Sequence, residues 1–233
     1  GVFANAATPM GITFGVRFSS IQWGDYDNDG DLDLAVSGED GAWNKRLIIF
    51  RNDGGGVFTN AAQPMGVNAG VGMSSIQWGD YDNDGDLDLA ISGVQGVNDR
   101  LIIFRNDGGG VFTNAAEQFG VNAGFARSSI QWSDYDNDGD LDLAATGRDA
   151  AINARLIIFR NDGGGIFTNV AEPMGVNAGV WLGSIQWGDY DNDGDLDLAV
   201  SGDTSGTIMN QRFIIFRSDA NGSANVRPAA PLL

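Results

Sequence analysis

The chain has 233 residues with 35 Gly, no Cys and no His, and its 31 Asp and Glu against 13 Lys and Arg leave a net charge of −18. Without Cys or His there can be no disulfide, no thiolate or imidazole zinc site and no Ser-His-Asp or Cys-His nucleophile, so the expectation is a protein that is not an enzyme. The charge repels nucleic acid and anionic lipid heads, and no apolar run approaches the roughly 18 residues that cross a bilayer.

The first seven residues, Gly1-Val2-Phe3-Ala4-Asn5-Ala6-Ala7, read as a short strand that recurs later in the chain. A unit of four strands follows. Strand A lies around Ile21 to Trp23, strand B around Leu32 to Ser37, strand C around Arg46 to Arg51 and strand D around Val57 to Ala61. Each is a β-branched or aromatic run bounded by turn residues, and none shows a helical period. The string Asp-Tyr-Asp-Asn-Asp-Gly-Asp-Leu-Asp begins at Asp25, Asp80, Asp134 and Asp189, so the unit repeats four times at spacings of 55, 54 and 55 residues. Radially repeated four-stranded antiparallel units predict an all-β fold, a β-propeller with one blade per repeat.

The fourth repeat has strands A, B and C but then departs into Ser218-Asp219-Ala220-Asn221-Gly222. The N-terminal strand is therefore expected to complete the last blade, either within one chain or between two chains that share an eight-bladed ring as a homodimer; the third alternative is that further blades lie upstream, this chain being one module of a longer protein. The propeller is assigned to residues 1–219, and the Pro/Ala-rich residues 220–233 read as a linker or tail.

The acidic loops at 25–33, 80–88, 134–142 and 189–197 place carboxylates at alternating positions around a Gly-sharpened turn, the oxygen-rich arrangement that Ca²⁺ accepts. Candidate metal residues are Asp25, Asp27, Asp29, Asp31 and Asp33; Asp80, Asp82, Asp84, Asp86 and Asp88; Asp134, Asp136, Asp138, Asp140 and Asp142; and Asp189, Asp191, Asp193, Asp195 and Asp197. Positions 1, 3, 5 and 9 of each loop are expected to bind through side chains and position 7 through its carbonyl. The loops are not EF-hands, because Val36, Ile91, Ala145 and Val200 stand where a bidentate Glu would be. They hold 20 of the 31 acids, and such density calls for a counter-charge. About four Ca²⁺ are expected, each stapling a strand A to strand B hairpin.

With Trp23-Gly24 ahead of Asp-x-Asp-x-Asp-Gly-x-x-Asp, the unit resembles the FG-GAP, or VCBS, repeat of integrin α-subunit propellers and of many secreted bacterial surface proteins. The resemblance implies a calcium-stapled propeller located outside the cell and used in adhesion or recognition.

The A–B and C–D turns, nearly invariant among the copies, belong to one face of such a blade, and the B–C and D–A connections belong to the other. That second face varies, at Glu39 to Trp43, Val94 to Val97, Arg148 to Ile152 and Asp203 to Met209, and again around Phe18, Met73, Arg127 and Leu182. Variation on one face suits a binding surface for a glycan or a cell-surface protein. Candidate ligand residues are the repeated pairs Asn44 and Arg46, Asn98 and Arg100, Asn153 and Arg155, and Asn210 and Arg212, with Trp43 and Trp181 expected to be exposed for stacking. The competing reading is that Asn makes the turn and Arg pairs with a neighbouring acid or backbone, leaving a structural spacer without a ligand of its own. Trp23, Trp78, Trp132 and Trp187, repeated in strand A, are expected between blades.

Overall fold

A computed structural model describes residues 2, 4–5, 15–62, 70–96, 98–115, 124–171, 175–176, 179–204 and 210–219. They form fifteen strands and no helix. The first sheet contains β1 (Arg17–Gly24), β2 (Asp33–Glu39), β3 (Lys45–Asn52) and β4 (Phe58–Asn60). The second contains β5 (Gly72–Gly79), β6 (Asp88–Gln95), β7 (Asn98–Asn106) and β8 (Phe112–Asn114). The third contains β9 (Ala126–Ser133), β10 (Asp142–Arg148), β11 (Ala154–Asn161) and β12 (Phe167–Asn169). The fourth contains β13 (Trp181–Gly188), β14 (Asp197–Asp203) and β15 (Gln211–Phe216).

Every sheet is an antiparallel meander in sequence order, four strands in the first three and three in the last. The four sheets form the blades of a propeller-like all-β arrangement. The register sets Trp23 opposite Leu34, Val36 opposite Ile48 and Phe50 opposite Asn60. The middle strands read as continuous apolar runs, Leu101 to Phe104 for example, because both faces of an inner blade are covered by its neighbours.

The strands that begin each blade pack in series: β1 on β5, β5 on β9, and β9 on β13. Each step joins one face of a blade to the opposite face of the next. Between the first two blades, Tyr26, Leu47 and Ile49 meet Ile76, Trp78, Leu89, Ile91, Phe104 and Phe112. Tyr26 stacks on Trp78 at 5.9 Å and 12°, Tyr81 on Trp132 at 6.0 Å and 12°, and Tyr135 on Trp187 at 5.7 Å and 11°. Each such pair adds about 0.5–1.5 kcal/mol to the area it buries. Close approach at the opposite end is possible only without a side chain: a Cβ on Gly70 would stand 2.3 Å from the Lys45 carbonyl oxygen.

The expectation that all four strand A tryptophans lie between blades holds for three of them. Trp23 is 52% exposed, because among the described residues no blade covers the outer face of the first. No packing of β13 on β1 comparable to the three successive steps is present among the described residues. Gly1, Phe3, Ala6 and Ala7 of the strand expected to complete the last blade lie outside the described residues, as does the tail at 220–233, and Val2, Ala4 and Asn5 are not in a strand.

A candidate metal centre in each blade

The acidic loop joins the first two strands of each blade. Asn28 with φ of 58° and Gly30 with φ of 93° take the left-handed backbone that coils it, conformations these two residue types tolerate best. Carboxylates then tie the coil. Asp25 accepts from the amides of Asp29 at 3.1 Å and Gly30 at 3.0 Å, and Asp29 accepts from Asp31 N at 2.9 Å. The same three bonds recur in the loops that begin at Asp80, Asp134 and Asp189. Asp33, fully buried, accepts from Tyr26 N at 3.1 Å and Asn52 N at 2.8 Å, anchoring the loop to the third strand.

Carboxylate oxygens converge in all four loops. Asp25, Asp27 and Asp29 bring one oxygen each within 4.8 Å of one another, as do Asp80, Asp82 and Asp88, then Asp134, Asp136 and Asp142, then Asp189, Asp191 and Asp197. Positions 1 and 3 take part in every loop, joined by position 9 in three loops and position 5 in the first. The Oδ1 atom of position 3 is buried without a hydrogen-bond partner in every copy: Asp27, Asp82, Asp136 and Asp191. A buried anionic oxygen with no donor is costly unless a cation meets it, so the donor set fits a hard metal ion.

Position 7 does something else with its side chain. Asn28 Nδ2 donates to Asp86 Oδ1 at 2.8 Å and Asn83 Nδ2 to Asp140 Oδ1 at 2.8 Å, each linking a loop to the next blade's loop. This leaves the main-chain carbonyl of position 7 for the part expected of it.

Without a cation the carboxylates hold their protons unusually well. Burial, partly offset by the backbone donors, pushes Asp33 up to about 6, Asp142 to about 7 and Asp88 to about 8. Asp27, Asp82 and Asp136 are raised by burial and by their carboxylate neighbours. The fourth loop differs in its surroundings. Arg51 and Arg160 pair with Asp53 and Asp162, which Thr59 and Thr168 of the outermost strand also hold. No fourth strand of the last blade is among the described residues, and Arg217, while pairing with Asp219 at 3.1 Å, also reaches Asp191 at 3.0 Å and Asp193 at 3.3 Å.

On the variable face the repeated Asn and Arg are used locally in two blades. Asn44 and Arg46 both donate to Asp40, the guanidinium at 2.9 and 2.7 Å, and together they close their own loop. This holds the Asp40 carboxyl well below the usual range. Asn153 donates to Asp149 in the same way, with Arg155 3.9 Å from that acid. Asn98 opens β7 opposite Gln95, Arg100 bridges Phe125 through its backbone, the Asn210 carbonyl accepts from Thr204, and Arg212 pairs with Gly202.

Trp43 is 66% exposed and carries the Arg17 guanidinium 3.0 Å above its ring. Trp181 is not the exposed residue expected: it is 6% exposed, with Arg127 and Arg148 from the preceding blade 4.9 and 5.8 Å from its ring. Between the second and third blades the same face holds a cavity of about 320 Å³ lined by Asp99, Gly124, Phe125, Asp149, Ala150, Arg155 and Ile157.

Three kinds of working residue escape a reading of composition and ligand spacing: the stacking tyrosines, the loop-bridging asparagines and the turn asparagines. Asn106 and Asn161 donate to the preceding blade's Tyr26 and Tyr81 carbonyls at 2.9 and 2.8 Å. The available signal is their recurrence at fixed positions in the repeat.

Comparison with known proteins places these observations in a family. No curated protein matches the sequence. A solved structure of an Agrocybe aegerita lectin, described as recognising non-reducing terminal N-acetylglucosamine, aligns at 21% identity with a TM-score of 0.47, over 79% of this chain and 47% of the lectin's. The FG-GAP-like repeat matches in three adjacent segments, residues 25–91, 93–145 and 147–200. Each segment runs from one acidic loop into the second strand of the next blade, or between successive second strands, and together they cover most of the chain, which belongs to the FG-GAP-like repeat family.

Proposed function

We propose that the chain is a calcium-stapled, non-catalytic recognition module that works outside the cell and takes a glycan on the face formed by the B–C loops. The observation that carries the metal reading is the orphaned carboxylate oxygen at position 3, buried in all four loops. Oxygen-only donors on a flexible loop favour Ca²⁺ over Mg²⁺, which keeps a tighter octahedral shell with several waters. For recognition, support comes from the cavity between the second and third blades, where Asp99, Asp149 and Arg155 stand beside Phe125. Two carboxylates and a guanidinium around a cavity of this size offer donors and acceptors that a sugar ring uses.

Titration of metal-free protein with Ca²⁺ and Mg²⁺ in a calorimeter tests the first part, with tighter binding of Ca²⁺ expected. A glycan array probed with the Ca²⁺-loaded protein and with Asp99→Ala tests the second, with specific spots expected for the parent and lost in the variant. A blank array from folded, loaded protein would favour the spacer reading. That second reading draws support from Asn44 and Arg46, whose hydrogen-bonding capacity is directed at Asp40 of their own loop.

A further inference from the structure

The two outer faces of the blade series are the separated halves of one interface that the molecule builds three times. Ile76 and Trp78 of the second blade are covered by the first, whereas their counterparts Ile21 and Trp23 face outward, Ile21 at 65% exposed against 1% for Ile76. At the other end, Leu47 and Ile49 are covered by the second blade, whereas their counterparts Phe213 and Ile215 are not, Phe213 at 72% against 8% for Leu47. Tyr26 stacks on the next blade's tryptophan, and Tyr190, its counterpart in the fourth blade, is exposed.

The polar groups of the interface are separated in the same way. Gln22 and Gln131 each accept from the backbone of the next blade's tryptophan, Trp78 and Trp187, while Gln186 donates to the carbonyl of its own neighbour Trp187. Asn106 and Asn161 reach back to a tyrosine carbonyl of the preceding blade, while the Asn52 side-chain amide donates to Leu32 of its own blade.

We infer that a second copy of this chain supplies the missing partner: the fourth blade of one copy seats on the first blade of the other, with Phe213 and Ile215 against Ile21 and Trp23. The contact continues an interface already present three times, so its complementarity needs no new surface. Seating the blades within one chain would demand a different step. Among the described residues, three like steps do not bring the fourth blade onto the first. A two-fold pair completes both missing interfaces at once and gives eight blades, within the range propellers adopt. The contact joins unlike faces, so it must close into a ring or run on as a filament, and the pair is the closed solution.

Sedimentation of the 233-residue chain in millimolar Ca²⁺ and about 0.15 M salt, where charges beyond ~8 Å are screened, tests this. The parent is expected at twice the chain mass. Ile21→Asp and Phe213→Asp, each folded by circular dichroism, are expected to be monomers when alone. Mixed one to one they are expected to form dimers, since each retains the face the other lacks. A monomeric parent would overturn the inference, whether Trp23 fluorescence is shielded from acrylamide, as closure within one chain requires, or freely quenched. So would a ladder of ever larger species, or dimers of either variant alone.

Discussion

Asp33, Asp88 and Asp142 anchor their loops, and Asp88 and Asp142 also stand among the converging carboxylates. Each accepts two backbone N–H bonds in a buried site, yet burial outweighs them and raises its pKa, to about 6, about 8 and about 7. In the unfolded chain an aspartate titrates near ~4. Between that value and the folded ones the metal-free fold binds more protons than the unfolded chain, so its stability falls as pH rises across this window. A metal reverses the trend because its ligands must be deprotonated. Calorimetric scans in EDTA should therefore give a higher Tm at pH 5 than at pH 8, and excess Ca²⁺ should remove or invert that difference. Equal Tm values at both pH values in EDTA would show that these carboxyls do not carry the linkage. At a single loop, Asp82→Ala removes the orphaned oxygen along with the side chain, and titration should find one fewer Ca²⁺ per chain than in the parent. The fourth loop should be the weakest site, because Arg217 already sits against Asp191 and Asp193 and an incoming cation must displace it. Arg217→Ala should tighten the weakest of the binding steps and leave the others unchanged.

At the scale of the element, the inter-blade step is the unit of stability. Asn106 is buried and donates to the Tyr26 carbonyl across the step and to Leu87 within its own blade. Asn106→Ala leaves a buried carbonyl without its donor and should cost about 1–3 kcal/mol. Asn52→Ala, at a residue whose side-chain amide donates within its own blade, should cost under about 1 kcal/mol by the same measure, a neutral-bond loss near the surface. Urea denaturation of the two variants decides this, and equal losses would remove the inter-blade role. The same asymmetry explains what the sequence could and could not disclose. Strands A, B and C were legible because their residues repeat with β-branched and aromatic patterning, and the acidic loops because ligand spacing is local. Strand D is three residues, Phe58–Asn60, in register with β3, with one further backbone bond from Ala61 to Ile49. The bulge in each first strand, where Phe18, Met73, Arg127 and Leu182 take positive φ, leaves no mark in composition. Trp181 and Trp23 were misplaced for one reason. Burial of a repeated or inserted side chain depends on the neighbouring blade, here the arginines over Trp181 and the outer face beside Trp23 that no described blade covers, and a repeat read alone does not contain its neighbour.

For the whole molecule the dominant quantity is charge. Twenty carboxylates crowd one face of a chain with a net charge of −18, and four divalent ions would bring it to −10. Two effects of Ca²⁺ are then mixed: general relief of repulsion between loops, and direct coordination of the orphaned oxygens within them. Salt separates the two. At 1 M ionic strength the screening length falls to about 3 Å, which quiets repulsion between loops but supplies no ligand-sphere bonds to Asp27, Asp82, Asp136 and Asp191. Linkage gives about 1.4 kcal/mol per loop when free Ca²⁺ is ten times Kd, or about 6 kcal/mol for four, and a chain of this size shifts by about 2–4 °C per kcal/mol. Chelation should thus lower Tm by about 10–20 °C. Adding 1 M NaCl to the chelated protein should restore a minor part of that loss, and millimolar Ca²⁺ at low salt all of it. Full recovery in NaCl alone would mean that the loops need only screening and that the converging carboxylates bind no ion. Recovery only with Ca²⁺ would identify coordination, rather than bulk charge, as what holds the four hairpins in place.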